Sequence, residues 1–231
     1  MASLMKNARK KKDVGIYGLA AKWYDKNSRK TRLAEMSSYA DLVETCIAKG
    51  SAILEVAPGP GYLSVELSRR GFIVTGIDIS PDFVEIGRRN ASEAGVSVDF
   101  RQGNASAMEL PDSVFDFVVC SAAFKNFKEP LTVLSEMYRV LNPNGIALIL
   151  DMNHDATKED IENQIKRYGM KGFDRFFVKL SFKTFLKSGA YTHEGFEELI
   201  AQTTFARHKI IKDGIGFQVW LYKSDDVTSG K

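Results

Sequence analysis

From position 51 onward, short apolar runs rich in β-branched residues alternate with longer stretches whose apolar positions recur every three or four residues. That rhythm fits a parallel sheet with helices on both faces, since each crossover must return the chain to the same edge. Strands are predicted over 52–57, 72–78, 97–101, 115–121 and 146–151. Helices are predicted over 62–70, 81–94 and 131–141. Ser80 is suited to cap the second of these, with Pro81 in its first turn. Asn142-Pro143-Asn144-Gly145 ends the third and opens the next strand. The pattern then changes. Residues 157–190 read as two helical stretches rich in Phe, followed by a helix over 193–203. Two strands, 207–212 and 217–222, are joined at Asp213-Gly214 as an antiparallel hairpin. Residues 17–48 read as two helices ahead of the sheet. The expected fold class is therefore α/β: a mostly parallel sheet with helices on both faces and a terminal antiparallel hairpin.

Composition adjusts this picture only at one end. A chain of 231 residues with 44% hydrophobic and 26% charged positions is long enough for one large domain. Of its net charge of +3, five positive charges (Lys6, Arg9, Lys10, Lys11, Lys12) precede the first acidic residue, Asp13. Without them 27 Lys and Arg face 29 Asp and Glu, which is not the footprint of a nucleic-acid-binding face. Residues 1–13 are read as a solvated basic tail, with an arm for phosphate or anionic lipid as the alternative. Residues 14–50 form a helical lid, and 51–231 the main domain with its insertion near 157–190. Neither a secretory apolar segment nor a membrane span is visible, so the expected location is cytoplasmic. Cys46 and Cys120 read as reduced core thiols, and no metal site is expected.

The sharpest feature is ILEVAPGPGY, residues 53–62, in which an apolar strand runs into a glycine turn and then a helix. Gly59 and Gly61 let a ligand approach the backbone, and the helix start after Tyr62 offers free N–H groups. Asp78 closes the next strand, at the same edge of the sheet, where a carboxylate can accept from both hydroxyls of a ribose. The alternative is that Asp78 caps the turn before Ser80-Pro81. Ser64 stands where a dinucleotide fingerprint wants Gly or Ala, which weakens an NAD(P)-dependent oxidoreductase. Glu55 would repel a diphosphate and attract an amino acid's ammonium group, the alternative being that it caps backbone groups or pairs with a surface Lys. S-adenosylmethionine has the ammonium and no phosphate.

With EVAPGPG at 55–61, GIDIS at 76–80 and LNPNG at 141–145, the chain resembles class I S-adenosylmethionine-dependent methyltransferases (methyltransferase type 11). The resemblance is strongest to the small-molecule branch that includes ubiquinone and menaquinone biosynthesis methyltransferases. It covers about 52–151 and extends to the terminal hairpin, implying a Rossmann-like, seven-stranded, mostly parallel sheet with helices on both faces and an antiparallel last strand. It implies that the turn from Ala57 to Gly61 contacts the methionine portion, Asp78 the ribose, Ile79 one adenine face, and Asn104 and Ala105 the adenine edge. Asn104 stands where Asp is usual, its amide oxygen accepting from the adenine amino group. Ala57 replaces the usual first glycine, and an ordinary φ is expected there.

SAAFKNF, 121–127, follows the fourth strand and is expected to bring Ser121 to the crevice beside the methyl group. It lacks the Asn/Asp-Pro-Pro-aromatic signature with which nucleic-acid and protein-amide methyltransferases hold a planar nitrogen. A small-molecule acceptor is therefore preferred over a nucleic-acid or protein substrate. Tyr17, Trp23, Tyr24 and Phe124 are candidate pocket walls, core packing being the alternative for each. His154, just past the fifth strand, is a candidate general base. The Phe-rich insertion is read as a cover, a homodimer contact or extra core.

Overall fold

The computed structural model describes residues 15–167 and 189–225. The basic tail and most of the insertion, including Phe173, Phe176, Phe177, Phe182 and Phe185, lie outside the described residues. Seven strands form one sheet: β1 (Ala52–Val56), β2 (Ile73–Asp78), β3 (Asp99–Gln102), β4 (Phe115–Ser121), β5 (Leu141–Met152), β6 (Arg207–Asp213) and β7 (Gly216–Tyr222). Their order is β3-β2-β1-β4-β5-β7-β6, with only β7 antiparallel to its neighbours. The expected fold class is thus the observed one. β5 starts earlier than expected. Its pairing to β4 jumps from Phe115↔Leu141 to Phe117↔Ile146, so Asn142–Gly145 bulge out within a strand rather than standing ahead of it.

The helices are α1 (Gly18–Glu44), α2 (Tyr62–Arg69), α3 (Pro81–Glu93), α4 (Pro130–Val140), α5 (Lys158–Arg167) and α6 (His193–Ile200). Ser80 caps α3 as expected, its Oγ accepting from the Phe83 N–H. The region expected to hold two helices is one 27-residue helix, α1. No Pro or Gly falls inside it after Gly18, so nothing in its backbone chemistry forces a break.

Strand alternation sorts the core into two layers. Leu54, Val56, Val118, Cys120, Ala147 and Ile149 face α4 and α6, packing on Val133, Met137 and Phe196. Ile53, Phe117, Val119, Leu148 and Leu150 face the other way, onto Met36 and Ala40 of α1 and Leu63 and Leu67 of α2. α3 extends this second layer over the β2–β3 end, where Phe100 packs with Val65, Val84 and Ala91.

Candidate active site

The same alternation positions the site. Glu55 continues the parity of Ile53, Asp78 that of Val74, and Ser121 that of Phe117 and Val119, so all three face the α1–α2 layer. They sit at the carboxyl ends of β1, β2 and β4, where strand order reverses direction and α/β sheets open a crevice. A cavity of about 870 Å³ lies there, lined by all three. That is near the upper end of the roughly 300–1,000 Å³ usual for small-molecule sites.

The turn after β1 wraps one wall. Ala57 donates to the Ile77 carbonyl at 2.8 Å, and Gly59 donates to Asp78 Oδ2 at 2.9 Å. Asp78 Oδ1 accepts from the Ser80 N–H at 2.8 Å, so this carboxylate does cap the turn, and each oxygen keeps a further lone pair. Burial raises its pKa, with the backbone donors pulling the other way. Ala57 departs from the expected ordinary φ: at +55° it adopts the left-handed conformation that glycine would take freely. Gly59 also has φ +55°, and a Cβ there would project into open space beside the cavity, the room a ligand needs. Gly61 does a different job from the one expected. It does not line the cavity; a Cβ on it would meet Phe100 Cζ at 2.4 Å, so it serves close packing.

Glu55 is buried, 2% exposed, and accepts from Ser64 Oγ on α2. Burial pushes its pKa up to about 7, while Ser64 and the Arg32 charge act to lower it. Ser121 Oγ is the one buried side-chain polar atom among the described residues with no hydrogen-bond partner. Its hydroxyl can therefore donate to or accept from a group bound in the cavity. Tyr62 and Ile79 line the cavity, as do Asn104 and Ala105. Asn104 Oδ1 already accepts from the Ser106 N–H at 2.9 Å, which leaves one lone pair and the amide NH₂ for a ligand. The open glycine turn, the unmatched Ser121 hydroxyl and the buried acids Glu55 and Asp78 together fit S-adenosylmethionine.

Of the expected walls, Tyr24 lines the cavity. Phe124 does not: it is fully buried in the opposite layer, edge-on to Phe127 and at tilted angles to Tyr191 and Phe196. Tyr17 and Trp23 are not among the lining residues and are 51% and 66% exposed. His154 also lies outside the cavity lining; its exposed ring bonds Asp155 at 2.9 Å. The far side of the cavity comes from residues that sequence reasoning missed: Arg32, Met36 and Tyr39 of α1, Phe127, and Gln218 of β7. Arg32 pairs with Glu35 at 2.5 Å. No local motif marks these positions, because only the packing of α1 and the insertion of β7 beside β5 bring them in.

Comparison with known proteins agrees with this geometry. Residues 54–149 match the family model described as a methyltransferase domain. A demethylmenaquinone methyltransferase of Listeria monocytogenes serotype 4a is 33% identical over 140 residues, 58% of this chain and 59% of that protein. The chain thus matches somewhat over half the length of that curated relative. Among solved structures, a SAM-dependent methyltransferase from Aquifex aeolicus superposes with a TM-score of 0.66 at 20% identity, covering 88% of this chain and 97% of that one. The plantazolicin methyltransferase BpumL in complex with SAH gives 0.64 at 15% identity, covering 89% of each chain. Residues 54–149 are thus similar in sequence to the methyltransferase domain family, and the fold around them is similar to that of SAM-dependent methyltransferases of known structure.

Proposed function

We propose that the protein transfers the methyl group of S-adenosylmethionine to a small-molecule acceptor by in-line displacement. The observation that carries this reading is the pairing of two buried carboxylates, Glu55 and Asp78, on one sheet face at either side of an open glycine turn. The bound cofactor supplies a methyl group already activated by a positively charged sulfonium. Glu55 holds the ammonium end and Asp78 the ribose, while Ile79, Asn104 and Ala105 enclose the adenine. Ser121 Oγ donates to the methionine portion, satisfying its own unmatched hydroxyl. Fixing two reactants in line is worth roughly 7–11 kcal/mol of barrier, so positioning does most of the work. α1 acts as the lid, and its Met36 and Tyr39 exclude water from the acceptor.

The relative named demethylmenaquinone methyltransferase supports a quinone-like small molecule as acceptor. The absence of the Asn/Asp-Pro-Pro-aromatic signature at 121–127 supports a small molecule over a base in a nucleic acid. An exposed His154 outside the cavity does not support a general-base role. Calorimetry tests the whole reading. S-adenosylhomocysteine binds the wild-type chain, Asp78→Ala weakens it at least about tenfold, and NAD gives no heat. Tight NAD binding with no response to S-adenosylhomocysteine overturns it.

A further inference from the structure

The outward side of α1 has no part in the site, yet it carries three of the large apolar side chains that the described residues leave exposed. Leu19 is 84% exposed and Trp23 66%, one helical turn apart and on the same side. Leu33 lies further along, 44% exposed. The opposite side of the helix is fixed. Ala21 is fully buried, Asp25 accepts from Tyr62, Arg89 and Asn90, and the Gly18 N–H donates to Asp82 Oδ2 at 2.9 Å. The exposed apolar pair therefore cannot turn inward by rolling the helix. Lys22 and Lys26 flank it, both exposed, and the preceding sequence adds Lys6, Arg9, Lys10, Lys11 and Lys12.

We infer that the outer face of α1, centred on Leu19 and Trp23 with Lys22 and Lys26 beside them, docks on an anionic membrane surface. An interfacial helix needs large apolar and aromatic side chains to enter the headgroup region, and basic residues to meet anionic lipid. This face presents both. Nucleic acid answers to the charges but gives Leu19 and Trp23 nothing to bury against. Among the described residues no helix is long and apolar enough to cross a membrane, so the attachment is peripheral and reversible. α1 also lines the cavity through Tyr24 and Met36, so docking brings the cavity within about one helix diameter, roughly 10–12 Å, of the bilayer. A lipophilic acceptor would then have a short path from bilayer to cavity.

The full chain is mixed with phosphatidylcholine vesicles with or without about 30% phosphatidylserine, and bound protein is measured by sedimentation and tryptophan emission. Trp220 is buried, so a shift on binding reports Trp23. Binding to the anionic vesicles with a blue shift, falling at least about tenfold in Leu19→Glu/Trp23→Glu and in Lys22→Glu/Lys26→Glu, supports the proposal. Calorimetry with S-adenosylhomocysteine on both variants shows that the fold is intact. Equal binding to neutral vesicles, or no difference between the variants and wild type, overturns it. So does a concentration-dependent blue shift without vesicles, which assigns the face to a second copy of the chain.

Discussion

Glu55 is the residue whose chemistry is most sharply set by its surroundings. Burial raises its pKa to about 7, so in the ligand-free protein it carries a proton through the weakly acid range. The unfolded chain releases that proton near the ordinary 4.5, so the folded state binds more protons in between. The stability Glu55 contributes is thus complete below about pH 4.5 and lost as pH rises to about 7. Thermal melts of the ligand-free chain between pH 5 and 8 will show this decline, and Glu55→Gln will flatten it. Binding of an ammonium reverses the preference, so cofactor affinity rises over the same range and proton release accompanies binding, measurable by calorimetry in two buffers. At Ala57 the left-handed φ costs roughly 1 kcal/mol relative to glycine. Ala57→Gly is expected to stabilise by about 0.5–1 kcal/mol in urea titrations, and Ala57→Val to destabilise by more than that. That Glu55, Asp78 and Ser121 gather at one end of the sheet was legible in the sequence because each stands at or next to the carboxyl end of its strand. The φ of Ala57 was not, since the turn's path follows from the Ala57–Ile77 and Gly59–Asp78 bonds across two strands.

At the scale of elements, the connection between α1 and the glycine turn carries the most consequence. Asp25 is 7% exposed and accepts from the Tyr62 hydroxyl, Asn90 Nδ2 and Arg89, while Asn90 Nδ2 also donates to the Pro60 carbonyl at 2.9 Å. One carboxylate on α1 therefore ties together the helix that covers the cavity, the turn that shapes it, and α3. Asp25→Ala removes an acceptor shared by three donors, of which the Tyr62 hydroxyl and Asn90 Nδ2 keep the Asp25 and Pro60 carbonyls, and is expected to cost roughly 1–2 kcal/mol. It should also weaken S-adenosylhomocysteine binding, although Asp25 touches no ligand, and chemical denaturation beside calorimetry separates the two effects. Gly61→Ala is expected to be more damaging than Gly59→Ala in the same denaturation. The first drives a Cβ into Phe100 at φ +76°, whereas the second meets no protein atom. Strands and their crossover helices were legible from periodicity to within a few residues at most ends. The unity of α1 was not, because its buried face is set by contact with α2 and α3 and not by a regular apolar stripe of its own.

For the whole molecule, the two layers of core leave the cysteines in different situations. Cys120 is fully buried, with its thiol pushed well above the ordinary range by burial and by the nearby Asp151 and Glu55 charges; Cys46 is half-buried. A thiol reagent at mildly alkaline pH should therefore modify Cys46 in the native state and Cys120 only at the rate of global unfolding. The wall of the cavity that includes Arg32 and Gln218 was the least legible part at this scale, since these residues are 186 positions apart and come to one cavity only in the finished fold.

The slot occupied by β7 has a final consequence. β6 pairs with β7 alone, and β5 presents its open edge until β7 fills it. During synthesis the ribosome therefore delivers an edge strand, β6, before the strand that attaches it, and Ile146–Met152 stays unzipped until position 222 has emerged. A nascent chain halted after Asp213 would offer that apolar edge to other nascent chains.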